Sequence, residues 1–252
     1  MIDYLFKNLK GTDWELLTDF VSPVFFEVVP TLGMAKVFGS ILKDYSSAKE
    51  FKNVKTAAAT TLEARVNTRT GKPLQLVDKL SAKTHIRNLS LEERQEYGSM
   101  VLKIYFSQLF ADHKTILDLR SSAFNGMTEW APKPVFYGWS PEFKEGLQKL
   151  YSGFYQGNDL LFKAGLEKLN LSHADSIIQS HFGQGSQDAV TFSLDHFKQS
   201  LHAVFMSCKN NKTRLHPDFF GLGVYLLCLY ENLEGLNCSL DVRSAFNGVV
   251  SQ

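Results

Sequence analysis

Cysteine is scarce in this chain of 252 residues: there are three, Cys208, Cys228 and Cys238, with no C-x-x-C spacing. An odd, late cluster excludes a closed disulfide framework and points to a reducing compartment, the cytoplasm being the expected one. An excess of either charge is also missing, since 27 basic residues face 26 acidic ones for a formal net charge of +1. Such a balance sets up no field to gather nucleic acid, so no nucleic-acid partner is expected. Long apolar runs are absent too. Nothing approaches the roughly 18 consecutive apolar residues of a membrane span, and the opening MIDYLFKNLKGTDWELL has no basic stretch followed by an apolar core, so no secretory leader is expected. The apolar stretch at residues 20–42 is interrupted by Pro23, Pro30 and Gly33. It reads as core broken into short pieces, with peripheral membrane contact as the alternative.

The familiar catalytic spacings are missing as well. The sequence holds no G-x-G-x-x-G, no Walker lysine loop, no G-x-S-x-G and no H-E-x-x-H. Its seven histidines are scattered: His196 and His202 are six apart, on different faces of a helix, and His173 and His181 are eight apart with no carboxylate at E-x-x-H spacing. No metal site and no catalytic residue is expected. Asp112 beside His113, and Glu231 with Glu234, are the nearest approaches to an acid–base pair or a cation-sharing pair.

What the sequence has is aromatic residues, 20 of them phenylalanine, and helical periodicity. In SLEERQEYGSMVLKIYFSQLFADH, Ser90 followed by Glu93 is a capping box, and Met100, Ile104 and Leu109 recur at helical spacing. Ser140 before Pro141 opens a second helix whose apolar stripe is Phe143, Leu147, Leu150, Tyr151 and Phe154; Gly157 and Asn158 end it, and Asp159 starts the next. FSLDHFKQSLHAVFMSCK predicts another. HPDFFGLGVYLLCLYENLEGL, apolar nearly all round, predicts a central buried helix. Extended structure is expected in one place, a small hairpin pairing residues 64–67 with 74–77 around the turn TRTG. The proline-rich WAPKPVFYGW predicts a connector folded back onto the core. The expectation is a mainly α, bundle-like globular fold with a minor β-hairpin, divided into an N-terminal helical segment (1–89) and a helical core domain (90–252).

One phrase is written twice, DLRSSAFNG from Asp118 and DVRSAFNG from Asp241. Aspartate is a good N-cap and Asn-Gly a good left-handed stop, so each copy predicts a capped helical turn plugged into the core by Phe124 or Phe246. The competing reading uses Arg120 and Arg243 as a shared anion-binding pair, since guanidinium groups grip carboxylate and phosphate bidentately.

The stretch TAAATTLEARVNTRTGKPLQLVDKL (56–80) resembles the alanine-rich nucleotide loop, hairpin and strand of the UbiB/AarF family of atypical kinases. VLKIYFSQLFADH, the segment from FYGW to LEKLNL, and TRLHPDFFGLGVYLLCLYENLEGL resemble later pieces of that family. The resemblance implies ATP with magnesium as cofactor, Ala57, Ala58, Ala59 and Thr60 as nucleotide-binding residues, and a role in lipid or isoprenoid-quinone metabolism. The sequence departs from the family at its chemical positions. Val77 stands for the strand lysine, Phe136 or Tyr137 for the metal-binding aspartate, and no HxDxHPGN-like loop follows Phe110. Without lysine and metal ligands a triphosphate is neither positioned nor neutralised. The expectation is therefore a non-catalytic helical interaction protein, a degenerate pseudokinase of this kind, binding a protein partner or an apolar ligand; the alternative is a nucleotide-binding protein.

Overall fold

The computed structural model describes residues 23–30, 47–66, 73–83, 85–183 and 189–250. Of these, 63% are helical, and the sheets have only two or three strands. The helices are α1 (Pro23–Val28), α2 (Ala48–Arg65), α3 (Leu91–Leu109), α4 (Pro141–Tyr155), α5 (Asp159–Lys168), α6 (Asp175–His181), α7 (Leu194–Asn210), α8 (Phe219–Glu234) and α9 (Val242–Val250).

The local stop and start signals hold. Ser90 accepts from the Glu93 amide while Glu93 reaches back to the Ser90 amide, closing the capping box of α3. Ser140 accepts from the Phe143 amide at the head of α4, with Pro141 in the first turn. Asn158 caps α5 through Leu161 after Gly157 turns the chain at φ +69°. The α4–α5 pair then closes tightly, because a Cβ at Gly153 would stand 2.2 Å from the Phe162 amide nitrogen and one at Gly165 would stand 2.5 Å from that of Leu150. Backbone meets backbone there, and no larger residue fits.

α3 and α8 carry the centre. Buried positions run along nearly all of α3 from Tyr97 to Leu109 and along α8 from Gly221 to Leu233. Polar groups inside are paired: Tyr97 donates to Asn232 at 3.0 Å, Asn232 donates to the Leu119 carbonyl, and Gln108 bridges Ile116 and the Tyr225 hydroxyl. Buried residues from Phe25 to Val249 form one hydrophobic cluster, so the described part of the first 89 residues shares a core with the rest. Phe25 lies 5.1 Å from the Phe205 ring, which places this piece of the apolar stretch in ordinary core.

The strands correct the expectation for the sheet. Residues 64 and 65 end α2, and β1 (Gln75–Leu76) pairs in parallel with β4 (Glu129–Trp130), not with residues 64–67; Asn67 and the TRTG turn lie outside the described residues. The hairpin is instead β3 (Phe124–Asn125) with β4, while β2 (Thr115–Ile116) pairs with β5 (Phe136–Tyr137) and β6 (Val190–Thr191) with β7 (Ser239–Leu240). Each strand is two residues long, too short for an alternating pattern to register in sequence. Within WAPKPVFYGW, Trp130, Phe136, Tyr137 and Trp139 are all buried, as a connector folded back onto the core requires.

Candidate functional site

Four helices leave a space between them. Leu147 and Leu150 of α4, Ile178 of α6, Leu201 and Val204 of α7 and Leu226 of α8 line an apolar cavity of about 90 Å³. Leu201, Val204, Gly223 and Leu226 are only half-buried, so it opens to the surface between α7 and α8. A smaller void of about 40 Å³ lies among Tyr105, Phe106, Tyr155 and Tyr230, and an open cleft of about 620 Å³ is lined by Ser180, Thr191 and His196 among others. His181, the last residue of α6, lines all three.

His181 is held by rings. It stacks on Tyr230 at 5.7 Å and on His196 at 5.8 Å, nearly parallel to both, and its Nε2 shares a hydrogen bond of 3.1 Å with the Tyr230 hydroxyl. Among the described residues its Nδ1 is buried without a hydrogen-bond partner. Burial, and secondarily the His196 ring, push its pKa down to about 4, so the imidazole is neutral at pH 7. Burial likewise raises the Tyr230 hydroxyl, which stays protonated. Among the described residues, none of the three cavities has a Lys, Arg, Asp or Glu in its wall. The described lining offers hydrogen-bonding groups on an apolar wall.

Gly223 marks the cavity from the α8 side. A Cβ added there would meet nothing within 4 Å, whereas a Cβ at Gly98, Gly146, Gly153, Gly165 or Gly221 would come within 3.0 Å of a neighbour.

The residues singled out in the sequence lie elsewhere. Ala57, Ala58, Ala59 and Thr60 stand mid-way along α2, with Ala58 wholly buried and the Thr60 hydroxyl donating to the Thr56 carbonyl. The expected loop is thus a helix, and its amides are committed to intrahelical bonds instead of being open to cradle phosphate. Val77 extends the β1–β4 pairing, and Phe136 and Tyr137 form β5. Arg120 binds Asp118 through Nε at 2.7 Å and Nη2 at 3.1 Å, while Arg243 donates to the Tyr155 carbonyl at the end of α4. The two guanidinium groups are held by different partners, and neither lines the cavities around His181.

The neighbouring pairs also part. Asp112 lies near Lys144 and His113 pairs with the Thr61 hydroxyl; Glu231 accepts from Ser121 while Glu234 accepts from the Leu194 amide. His173 bonds Ser207 at 2.8 Å and bridges two elements. Among the described residues no group of three or more His, Cys, Asp or Glu side chains could hold a metal, and no helix is long and apolar enough to cross a membrane. The three cysteines are free and buried. The sequence named His181 only for its spacing from His173 and did not place it at a site.

Comparison with known proteins gives no matching family model and no matching curated protein. The functional reading rests on the site itself.

Proposed function

We propose that this chain is a non-catalytic helical binding module that takes a small apolar molecule into the space between α4, α6, α7 and α8. Gly223 is the observation that carries the reading. Glycine inside a helix costs about 1 kcal/mol relative to alanine, a cost natural sequences accept where something must come close. Gly98, Gly146, Gly153, Gly165 and Gly221 bring protein atoms close; at Gly223 the space is empty and apolar. Leucine, valine and phenylalanine walls favour hydrocarbon over water, which finds few partners there. The reading needs no nucleotide and no metal, and the alanine run in α2 serves it only as packing.

Xenon tests it, being small, apolar and without hydrogen-bonding groups. Methyl NMR under xenon pressure should show saturable shifts at Leu147, Leu201, Val204 and Leu226. The Gly223→Leu variant, which places a side chain in the cavity, should lose them while keeping its circular dichroism. Wild-type protein with no saturable xenon site, or a filled variant that binds as well, would overturn the proposal.

A further inference from the structure

The space around His181 also specifies the polar end of its occupant. Resting on the apolar-ligand reading above, we infer that the ligand is an uncharged amphiphile, a short hydrocarbon carrying a neutral hydrogen-bonding head such as a hydroxyl, and that His181 is the residue that reads the head.

Three observations converge. First, His181 is common to the apolar cavity, the aromatic void and the open cleft, so a molecule whose chain lies along Leu150 and Leu226 brings its other end to that ring. Second, Nδ1 of His181 is buried and, among the described residues, unpartnered, while Nε2 is engaged by Tyr230. A buried polar atom left unpaired is costly, and a ligand group that pairs with it recovers that cost on binding. Third, among the described residues the walls of all three spaces lack Lys, Arg, Asp and Glu, and supply instead the hydroxyls of Ser180, Thr191, Ser200 and Tyr230 and the His181 imidazole. A carboxylate or ammonium head would give up its hydration without a countercharge, whereas a hydroxyl, able to donate and accept, suits either tautomer of His181. Burial keeps that imidazole neutral at physiological pH, which removes it as a countercharge.

The test is a series of matched length, 1-pentanol, pentanoate and pentylammonium, titrated calorimetrically at pH 7.5 beside xenon. Pentanol should bind about tenfold more tightly than either charged analogue, the selectivity of an uncompensated charge against one hydrogen bond. His181→Phe, which keeps a stacking ring, should lower the affinity for pentanol relative to xenon about fivefold. In wild-type protein, which avoids any folding defect of the variant, the imidazole nitrogen resonances of His181 should shift with pentanol and stay put with xenon. Equal affinity for the three heads, or pentanol binding that leaves the His181 nitrogens unmoved, would sink the head-group assignment while xenon binding keeps the pocket. Failure of both xenon and pentanol to bind would remove the pocket reading itself.

Discussion

Two stretches of this protein spell almost the same words and fold differently. After Asp118 the chain is extended at Arg120, makes one 3-10 turn at Ser121–Ala123, enters strand β3 and turns at Gly126 with φ +53°. After Asp241 it runs as α9 straight through the Asn-Gly pair to Val250. The divergence comes down to one amide. Ser244 N–H, three residues beyond its aspartate, donates to Asp241 and caps the helix; the equivalent Ser121 N–H donates to Glu231 of α8 at 3.0 Å. Asp118 is not available to it, because its carboxylate accepts from Arg120 and from the Lys133 amide. Capping needs a free oxygen as well as the right spacing, and a buried ion pair takes it away. The expectation of a helical cap and a left-handed stop in both copies is corrected: Asp241 caps, Asp118 pairs, and only Gly126 turns the chain.

The phenylalanines are what the copies share. Phe124 meets Tyr97 edge-on and stacks on Trp130, while Phe246 is clasped by Phe106, Phe110 and Tyr155. Both reach α3, nine residues apart on it, although α3 directly precedes only the first copy. Phe124→Ala and Phe246→Ala should each cost about 3 to 5 kcal/mol in urea melts, through lost burial and the cavity left behind. A cost below about 1 kcal/mol at one of them would break the parallel and leave that copy without a plug.

The charged residues sharpen the contrast at the next level down. Asp118→Ala removes the carboxylate that binds Arg120 in a buried setting, and removing one partner of such a pair costs about 3 to 5 kcal/mol. Asp241→Ala removes an exposed cap worth about 1 kcal/mol, and Arg243→Ala removes a bond to the last turn of α4 of similar size. Equal losses at the two aspartates would mean that they do the same job. Chemical denaturation of the three variants decides it.

The same contrast explains what could be read in advance. Ser90 and Ser140 were legible as caps because each acts on an amide three residues away, within the window a sequence displays; Asn158 was read only as the end of α4, and the structure makes it the cap of α5. The mainly helical class followed from long periodic segments for the same reason. The strands were not legible, since each two-residue ladder depends on a partner that can lie more than fifty residues off, as Gln75 does from Glu129. Ala57–Thr60 spell both a helix and a loop, and packing of Ala58 against the core chose the helix. His181 looked like any scattered histidine; its setting exists only once Tyr230 and His196, 49 and 15 residues away along the chain, are folded around it.

The smallest effect is the most discriminating, because it changes sign between the copies. Gly126 holds φ +53°, where a Cβ crowds the following carbonyl, so Gly126→Ala should destabilise by about 1 to 2 kcal/mol. Gly248 lies inside α9, and a Cβ there would make an ordinary contact at 3.5 Å with Lys103 Cε, the movable end of a side chain. Alanine in place of glycine in a helix lowers the entropy lost on folding, so Gly248→Ala should stabilise by about 0.5 kcal/mol, less than mid-helix because the end is near. Paired thermal melts of the two variants against wild type read the two signs directly. Shifts of the same sign would mean that the Asn-Gly pairs share one conformation, and the account of the divided phrase would fail at the residue where the two backbones differ most.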